Sequence, residues 1–310
     1  MNDPFVYVVI ASWNGRQHLK HCLPSLRTTN YANFRVLVVD DGSTDGTVEW
    51  LRQHHPEVEC LRLSGNEGFV CAANRGMQEG LALRADYLLL LNNDTRVTPD
   101  WIDELVNVAE KDDTVGICSG RQLSWSGEAQ IELRFYPEFA AGRLVERDVS
   151  DPDPPHPVAY GDGCCMLLRR QLLSAIGLFD DRYVAYAEDV DLSLRAWTSG
   201  WKVMHVPAAT IHHRVGGSKT VQQAYLGYRN QLTTAIKVYQ PETLWRFRVP
   251  MLQRWLLTRY PPALKATRDA LRMARTSLSL RRGIQAERKL TDDEVFEQFT
   301  THDPALDGIR

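Results

Sequence analysis

The sequence predicts an α/β fold with a mixed, mainly parallel sheet and a helical extension at its C-terminal end. Through the first 91 residues, short apolar runs rich in β-branched side chains alternate with helix-like segments about every 20 to 30 residues, the pattern of strand–helix–strand units. Clusters of Asp, Asn and Gly follow these runs directly. A chain of 310 residues with 44% hydrophobic content can bury the core that such a fold requires.

The continuous apolar run at residues 5–11 predicts a strand buried on both faces. Further strands are expected at residues 34–39, 59–63 and 87–91. Helices are expected between them, over residues 17–26, 47–54 and 70–83. Each polar cluster then lies at the carboxyl end of a strand, where open α/β sheets bind ligands. The sequence therefore predicts a ligand site along one edge of the sheet.

The second half of the chain has a weaker pattern. Periodicity fades from residue 124 to 157, and the proline-rich stretch 151–157 predicts a rigid loop. Buried elements are expected over residues 161–169 and 202–213, the latter a strand. Beyond residue 222 we expect helix to near residue 290, interrupted at Pro250 and at Pro261 and Pro262.

Charge and cysteine content limit the class of protein. Residues 245–289 hold twelve Lys/Arg against two acidic residues, a net charge of +10 in a chain whose total is −3. The six cysteines show no CxxC spacing, which predicts reduced thiols and argues against a zinc site. No run approaches the roughly 18 apolar residues of a spanning helix. A soluble or peripheral protein is expected.

An acidic segment holds five carboxylates within twelve residues: Asp180, Asp181, Glu188, Asp189 and Asp191. A helix is expected from Glu188, with Arg195 four residues after Asp191. The helix dipole stabilises acidic residues in the first turn, so an acidic capping face explains one or two of them. A carboxylate held there beside apolar side chains can also act as a general base, because desolvation raises its pKa. Both interpretations stay open from the residues alone.

Two other polar clusters end predicted strands. The carboxylates of Asp40 and Asp41 can accept hydrogen bonds from a nucleobase imide or a ribose, or can form an Asx-turn with a helix cap. Asp94, behind two asparagines and four leucines, suits Mg²⁺ or Mn²⁺, which keep several waters and take other ligands from a diphosphate.

Two adjacent histidines end the 202–213 strand. Alternation along the strand places His212 and His213 on opposite faces. Either ring can complete a metal site or be a satisfied structural residue.

Seven motifs in order resemble the family 2 inverting glycosyltransferases of GT-A fold, whose sheet binds nucleotide sugars in a Rossmann-like manner. They are VVIASWNG, LVVDDGSTDGT, NEGFVCAANRG, LLLLNND, GDGCCMLLRR, GLFDDRYVAYAEDVDLSLRAW and HHRVGGS followed by YRN. The resemblance covers about residues 5–235. It is strongest to the bacterial rhamnosyltransferase and galactofuranosyltransferase branch that builds cell-surface polysaccharides.

The resemblance implies a role for each matched residue. The nucleotide-binding residues would be Ala11, Ser12, Trp13, Asp40, Asp41, Asn66, Gly68, Asn74, Asn92 and Asn93, with Trp13 stacking on the base. Asn92 stands where the family's DxD motif has its first Asp, so Asp94 would be the main metal ligand, joined by His213 or, second, His212. Asp189 matches the catalytic base. Glu188 or Asp191 would orient the acceptor or hold the loop.

The implied reaction is transfer of a sugar, with inversion, from a dTDP- or UDP-sugar to a hydroxyl of a polyprenyl-diphosphate-linked or growing glycan. The first candidate donor is dTDP-L-rhamnose, followed by UDP-galactofuranose and UDP-GlcNAc, and the implied cofactor is Mg²⁺ or Mn²⁺. A nucleotidyltransferase would carry a basic, Gly-rich phosphate loop near its N-terminus, whereas only Arg16 follows the first strand's turn. A non-catalytic nucleotide-sugar binder would not require Asp189.

The predicted domains are a catalytic domain over residues 1–221 and a basic helical extension over residues 222–310. Trp245, Phe247, Trp255 and Leu256 alternate there with arginines, a composition typical of helices on anionic membranes. The alternative is an extension docked on the catalytic domain. No nucleic-acid-binding motif accompanies the charge. The expected location is the cytoplasmic face of the cell membrane, and the oligomeric state stays open.

Overall fold

The nucleotide-side half of the sheet is built from four parallel strands. The computed structural model describes residues 3–214, 220–257 and 261–300. Its first elements are β1 Val6–Ser12, α1 Arg16–Leu26, β2 Phe34–Asp40, α2 Thr47–His54, β3 Glu59–Arg62, α3 Phe69–Ala82 and β4 Tyr87–Leu91. The strands lie in the order β3-β2-β1-β4 and all pair in parallel. These elements confirm the predicted strands and helices to within one residue at most ends.

The remaining elements complete a mixed sheet and a helical region. They are β5 Thr95–Val97, α4 Trp101–Lys111, β6 Val115–Ser124, β7 Ala129–Tyr136, β8 Ala141–Asp148, β9 His156–Pro157, β10 Cys165–Arg169, α5 Arg170–Ile176, α6 Glu188–Thr198, β11 Lys202–His213, α7 Val221–Val238, α8 Pro241–Leu257, α9 Pro261–Ala286 and α10 Asp292–Thr300. The sheet continues from β4 as β10-β6-β11-β5, with β10 antiparallel to both of its neighbours.

Both faces of the sheet are covered, which explains the continuous apolar runs. Val6, Val8 and Ile10 of β1 pack with α1 and α4 on one face. Tyr7 and Val9 point the other way, into a cluster that includes α3, α6 and residues of the C-terminal helices. A strand buried on both sides needs no polar alternation.

The hairpin of β7 and β8 was not predicted. Along these strands only Ile131, Phe135 and Ala141 are buried. Residues 129–135 do alternate apolar and polar side chains, the pattern of a strand exposed on one face, and the expectation of a loop overlooked it. β8 shows no such alternation.

The helices after residue 221 share the core of the sheet domain. Tyr239 lies between α7 and α8, where its ring contacts Phe247 and Phe296 and its hydroxyl donates to the Pro137 carbonyl at 2.8 Å. The predicted interruption at Pro250 is wrong, because α8 continues through it. A new helix, α9, begins at Pro261, where the second interruption was predicted, and further helix breaks follow α7 and α9. Pro removes one backbone hydrogen bond, a cost that tertiary packing can offset. Within the described residues, no helix has the length and hydropathy to span a membrane.

Candidate active site

The ends of β1 and β4 are tied together at the carboxyl edge of the sheet. Ser12 Oγ accepts a hydrogen bond from Asn93 Nδ2 at 3.0 Å. Gly15 lies so close that a Cβ there would be 2.3 Å from Ser12 Oγ, which only glycine avoids. The Trp13 indole just outside this contact is 55% exposed. An exposed aromatic ring beside a strand-end cleft is suited to stacking on a planar ligand.

Asp40 and Asp41 serve different purposes at the end of β2. Asp40 is fully buried, and its Oδ2 accepts from the Ser43 backbone N–H at 3.1 Å. Its Oδ1 is buried with no hydrogen-bond partner among the described residues. Asp41 accepts from the N–H groups of Glu67 and Gly68 at 2.7 and 2.9 Å. Burial raises the pKa of Asp41, and these two bonds oppose the rise. Asp41 thereby anchors the 66–68 loop, where Asn66 is exposed.

Asn74 fastens the acidic segment to α3. Its Nδ2 donates to the Phe179 carbonyl at 3.0 Å and to Asp181 Oδ1 at 2.5 Å, and its Oδ1 accepts from the Phe179 N–H at 3.2 Å. Both polar atoms of the Asn74 side chain therefore bind the loop at residues 179–181. The same loop approaches Gly68, where an added Cβ would be 2.6 Å from the Val184 side chain.

The structure brings Asp94 and His213 together, as predicted for a metal pair. Asp94 Oδ1 lies 3.3 Å from His213 Nε2, and Asn92 Nδ2 lies 3.4 Å from the same nitrogen. The opposite ring nitrogen, Nδ1, is 3.0 Å from Gln122 Oε1. Because an amide oxygen only accepts, it holds the ring proton on Nδ1 and leaves the Nε2 lone pair facing Asp94.

His212 points away from this pair. Its Nδ1 lies 3.3 Å from the Ser124 carbonyl, on the other face of β11, as strand alternation requires. Within the residues that the structure describes, no group of three or more His, Cys, Asp or Glu side chains converges on a metal position. A cation held by Asp94 and His213 would take its other ligands from water and substrate, which suits Mg²⁺ or Mn²⁺.

Asp189 lies half-buried in the first turn of α6. Its carboxylate accepts from the N–H groups of Val190 at 2.8 Å and Gly163 at 3.4 Å. Burial raises its pKa from 3.8 to about 7, and the nearby Asp162 carboxylate adds to the rise. A carboxylate with a pKa near neutrality is suited to general base catalysis.

Glu188 beside it is buried, with Oε2 unpartnered among the described residues. Burial, and then the charge of Asp189, hold the pKa of Glu188 well above its ordinary value. Glu188 therefore resists ionisation in the folded protein.

Asp162 belongs to this site and was not singled out from the sequence. Its Oδ1 accepts from the Cys164 N–H at 2.7 Å, and the Cys164 carbonyl accepts from the Asn92 N–H at 2.9 Å. The 162–164 turn thus connects the Asp189 side of the cleft with the Asp94 side. In the sequence, the signal for this residue is a carboxylate between two glycines directly before a buried strand. Because β10 is antiparallel to β4, the first residue of β10 lies at the edge of the sheet where β4 ends.

The remaining buried carboxylates form an ion network under the site. Lys237 Nζ of α7 lies 2.7 Å from Asp180 Oδ2 and 2.6 Å from Asp191 Oδ1. Arg195 Nε pairs with Asp191 at 2.9 Å, which confirms the predicted contact between them. Burial alone would raise the pKa of Asp180, yet Arg182 and Lys237 hold it well below its ordinary value. Asp191 is fully buried, and its two oxygens contact Arg195 and Lys237.

Comparisons with known proteins identify the fold and the family of the chain. An N-acetylglucosaminyl-diphospho-decaprenol L-rhamnosyltransferase of Mycobacterium tuberculosis is 28% identical over 275 residues, covering 81% of this chain and 88% of the relative. The fold is similar to that of GalNAc-T7 with UDP, GalNAc and Mn²⁺, with TM-score 0.67 and 16% identity, covering 98% of this chain and 58% of that one.

It is also similar to the mannosyltransferase PcManGT from Pyrobaculum calidifontis in complex with GDP-Man and Mn²⁺, with TM-score 0.57 and 17% identity, covering 97% of this chain and 88% of that one. These likenesses confirm the predicted GT-A fold. The family model described as Glycosyl transferase family 2 matches residues 7–177, more than half of the chain. The chain therefore belongs to glycosyl transferase family 2 and is a glycosyltransferase.

Proposed function

We propose that the chain transfers a sugar with inversion, using Asp189 as the general base. The observation that carries the proposal is a half-buried carboxylate whose pKa is raised to about 7, at the start of a helix beside the nucleotide side of the sheet. Asp189 takes the proton of an acceptor hydroxyl while that oxygen attacks the anomeric carbon opposite the nucleoside diphosphate. A single displacement inverts the anomeric configuration and needs no covalent intermediate.

The donor's diphosphate is proposed to bind at Asp94 and His213. Their ligand atoms lie 3.3 Å apart, and the Gln122 contact orients the imidazole. This donor set of one carboxylate and one imidazole fits a divalent cation completed by phosphate oxygens. When bound, Mg²⁺ or Mn²⁺ supplies positive charge that stabilises the leaving diphosphate. On the nucleoside side, Trp13 offers an exposed ring, and the unpaired Oδ1 of Asp40 marks a buried acceptor.

We propose dTDP-L-rhamnose as the donor and a polyprenyl-diphosphate-linked sugar as the acceptor. The support is the relative named as an N-acetylglucosaminyl-diphospho-decaprenol L-rhamnosyltransferase, which aligns with 81% of this chain. UDP-galactofuranose and UDP-GlcNAc are the alternative donors.

A lipid-linked acceptor places the reaction at a membrane surface, and the exposed face of α9 has a composition suited to that surface. On α9, Leu264, Leu271 and Leu278 are 50–61% exposed. The exposed arginines Arg268, Arg275 and Arg282 fall between and after them at spacings of three and four residues, so leucines and arginines share one helical stripe.

The opposite face of α9 is buried against the rest of the protein, through Ala266, Ala270 and Ser277. The stripe can therefore meet an anionic leaflet without unfolding the helix. Trp245 of α8 is 68% exposed and adds a further apolar side chain that can meet the membrane, whereas Phe247 is buried. The side chains of Trp255 and Leu256 lie outside the described residues. We propose that the helices after residue 221, which share the core of the sheet domain, hold the catalytic site at the cytoplasmic face of the membrane.

A donor panel tests the proposal. The full chain, with Mn²⁺ or Mg²⁺, is incubated with dTDP-rhamnose, UDP-galactofuranose or UDP-GlcNAc and a polyprenyl-diphosphate-linked GlcNAc. We expect rhamnosyl product of inverted anomeric configuration by NMR, together with free dTDP. Product of retained configuration would refute the mechanism, and transfer from only a UDP-sugar would refute the donor. Transfer of the nucleoside monophosphate to the acceptor, with release of the sugar 1-phosphate in place of nucleoside diphosphate, would indicate a nucleotidyltransferase.

A further inference from the structure

The Tyr-Arg-Asn motif of α7 contacts the loop that carries the catalytic base. Asn230 is fully buried, and its Nδ2 donates to the carbonyls of Ala185 and Tyr186 at 2.9 and 2.7 Å. Arg229 adds a bond from its guanidinium to the Arg182 carbonyl at 3.1 Å, and its Nε donates to Asn230 Oδ1 at 2.9 Å. The motif thus holds the loop at three backbone carbonyls.

The part of the loop that Asn230 binds has an unfavourable backbone conformation. Tyr186 and Ala187 both have positive φ, 72° and 63°, a region that residues with a Cβ occupy at a cost. Two such residues in succession persist only where neighbouring contacts determine the conformation. Ala187 is also the N-cap of α6, so the direction of the first turn, and with it of Asp189, follows from these two residues.

We propose that Asn230 is a positioning residue that holds the loop in this conformation and so aims Asp189 at the acceptor hydroxyl. The inference rests on the proposed role of Asp189 as base. Asn230 itself is fully buried beneath the loop and acts through its two carbonyl contacts. The nucleotide side of the same loop is held separately, because the Val70 N–H donates to the Val184 carbonyl at 3.2 Å.

This separation predicts which kinetic constant changes. Without the two amide bonds, Tyr186 and Ala187 can relax to negative φ and turn the start of α6, while the Val184 contact keeps the donor loop in place. Misplacing a catalytic group by about 1 Å costs about 100-fold in rate. Hydration of a displaced Asp189 would also lower its pKa from about 7, because desolvation is the main cause of the rise.

The experiment compares three variants of the full chain in steady-state transfer and nucleoside diphosphate binding. Asn230→Ala removes both donors. Asn230→Asp also removes them but keeps the volume and the acceptor for Arg229. Thr233→Ala is the matched control, since Thr233 is equally buried one turn later and its hydroxyl bonds only the Arg229 carbonyl inside the helix.

For both Asn230 variants we expect kcat to fall about 10- to 100-fold, with the nucleotide Kd within about threefold of wild type. The acid limb of the kcat profile should move to lower pH in Asn230→Ala. Adding Ala187→Gly should restore part of kcat, because glycine accepts positive φ without strain.

Wild-type kcat in both variants would overturn the inference, as would an effect confined to donor KM. If neither variant folds while Thr233→Ala does, Asn230 is only structural and the inference is also overturned. A transfer-competent Asp189→Asn protein would instead refute the base assignment itself.

Discussion

Replacing Asp189 with asparagine should abolish catalysis and stabilise the fold. The carboxylate is half-buried, close to the Asp162 carboxylate, and its pKa is raised from 3.8 to about 7. A group that resists ionisation in the folded protein but ionises freely in the unfolded chain weakens folding at neutral and higher pH. The asparagine keeps the shape, removes the charge and cannot accept a proton.

The size of the stability effect follows from the pKa. At about 1.4 kcal/mol for each pH unit, ionising Asp189 costs the folded protein at most about 4 kcal/mol. Partial exposure reduces this figure, and an amide keeps only part of the bonds from Val190 and Gly163. We therefore expect a gain of about 1–2 kcal/mol above pH 7, a few degrees in Tm. Below about pH 4 both states are protonated, and the gain should disappear.

Urea unfolding at pH 4, 6 and 8 measures the stability, and transfer assays measure the loss of kcat, expected at about 10²–10⁴-fold. In the wild type, kcat should rise with pH and level off above about 7, because the base must be ionised. Asp162→Asn is the comparison variant, since it removes the neighbouring charge and should lower the pH at which kcat levels off. Equal stability of wild type and Asp189→Asn at pH 8, or near-normal turnover in the variant, would refute the reasoning.

Three further predictions concern other parts of the molecule. His213→Ala should raise the Mn²⁺ concentration for half-maximal transfer at least tenfold. The control is His212→Ala, because the His212 ring faces Ser124, and it should leave this concentration near the wild-type value. Equal effects of the two substitutions would contradict the pairing of Asp94 with His213. Lys237→Ala should cost about 1–3 kcal/mol in urea unfolding, because Asp180 and Asp191 each lose one of two cationic partners and keep Arg182 and Arg195 respectively. Exposed Lys20→Ala should cost at most about 0.5 kcal/mol. Leu271→Glu should weaken binding to anionic vesicles about tenfold. Leu83→Glu, at an exposed leucine that ends α3, should leave binding near wild type, and unchanged binding in both variants would exclude the stripe.

Much of the fold and the reaction class could be predicted from local sequence pattern. Runs such as residues 87–91 are buried on both faces of the sheet, so their composition alone predicts strands, and the motifs at their ends predict the family. The pair of Asp94 and His213 was implied by the family resemblance, because strand alternation places His212 and His213 on opposite faces without saying which of them meets Asp94. The strand β8 was not predictable, since only Ala141 is buried in it and its residues do not alternate. The alternation along β7 was present in the sequence but was overlooked.

The sequence by itself determined that carboxylates gather at the start of α6, but only the tertiary structure decided what each of them does. Asp180 and Asp191 meet Lys237, which comes from a helix far along the chain, and they are therefore neutralised and buried. Asp189 meets no cation among the described residues and lies near Asp162. The charge state of a carboxylate depends on groups within a few ångströms in space, and spacing along the chain does not encode which distant groups those are.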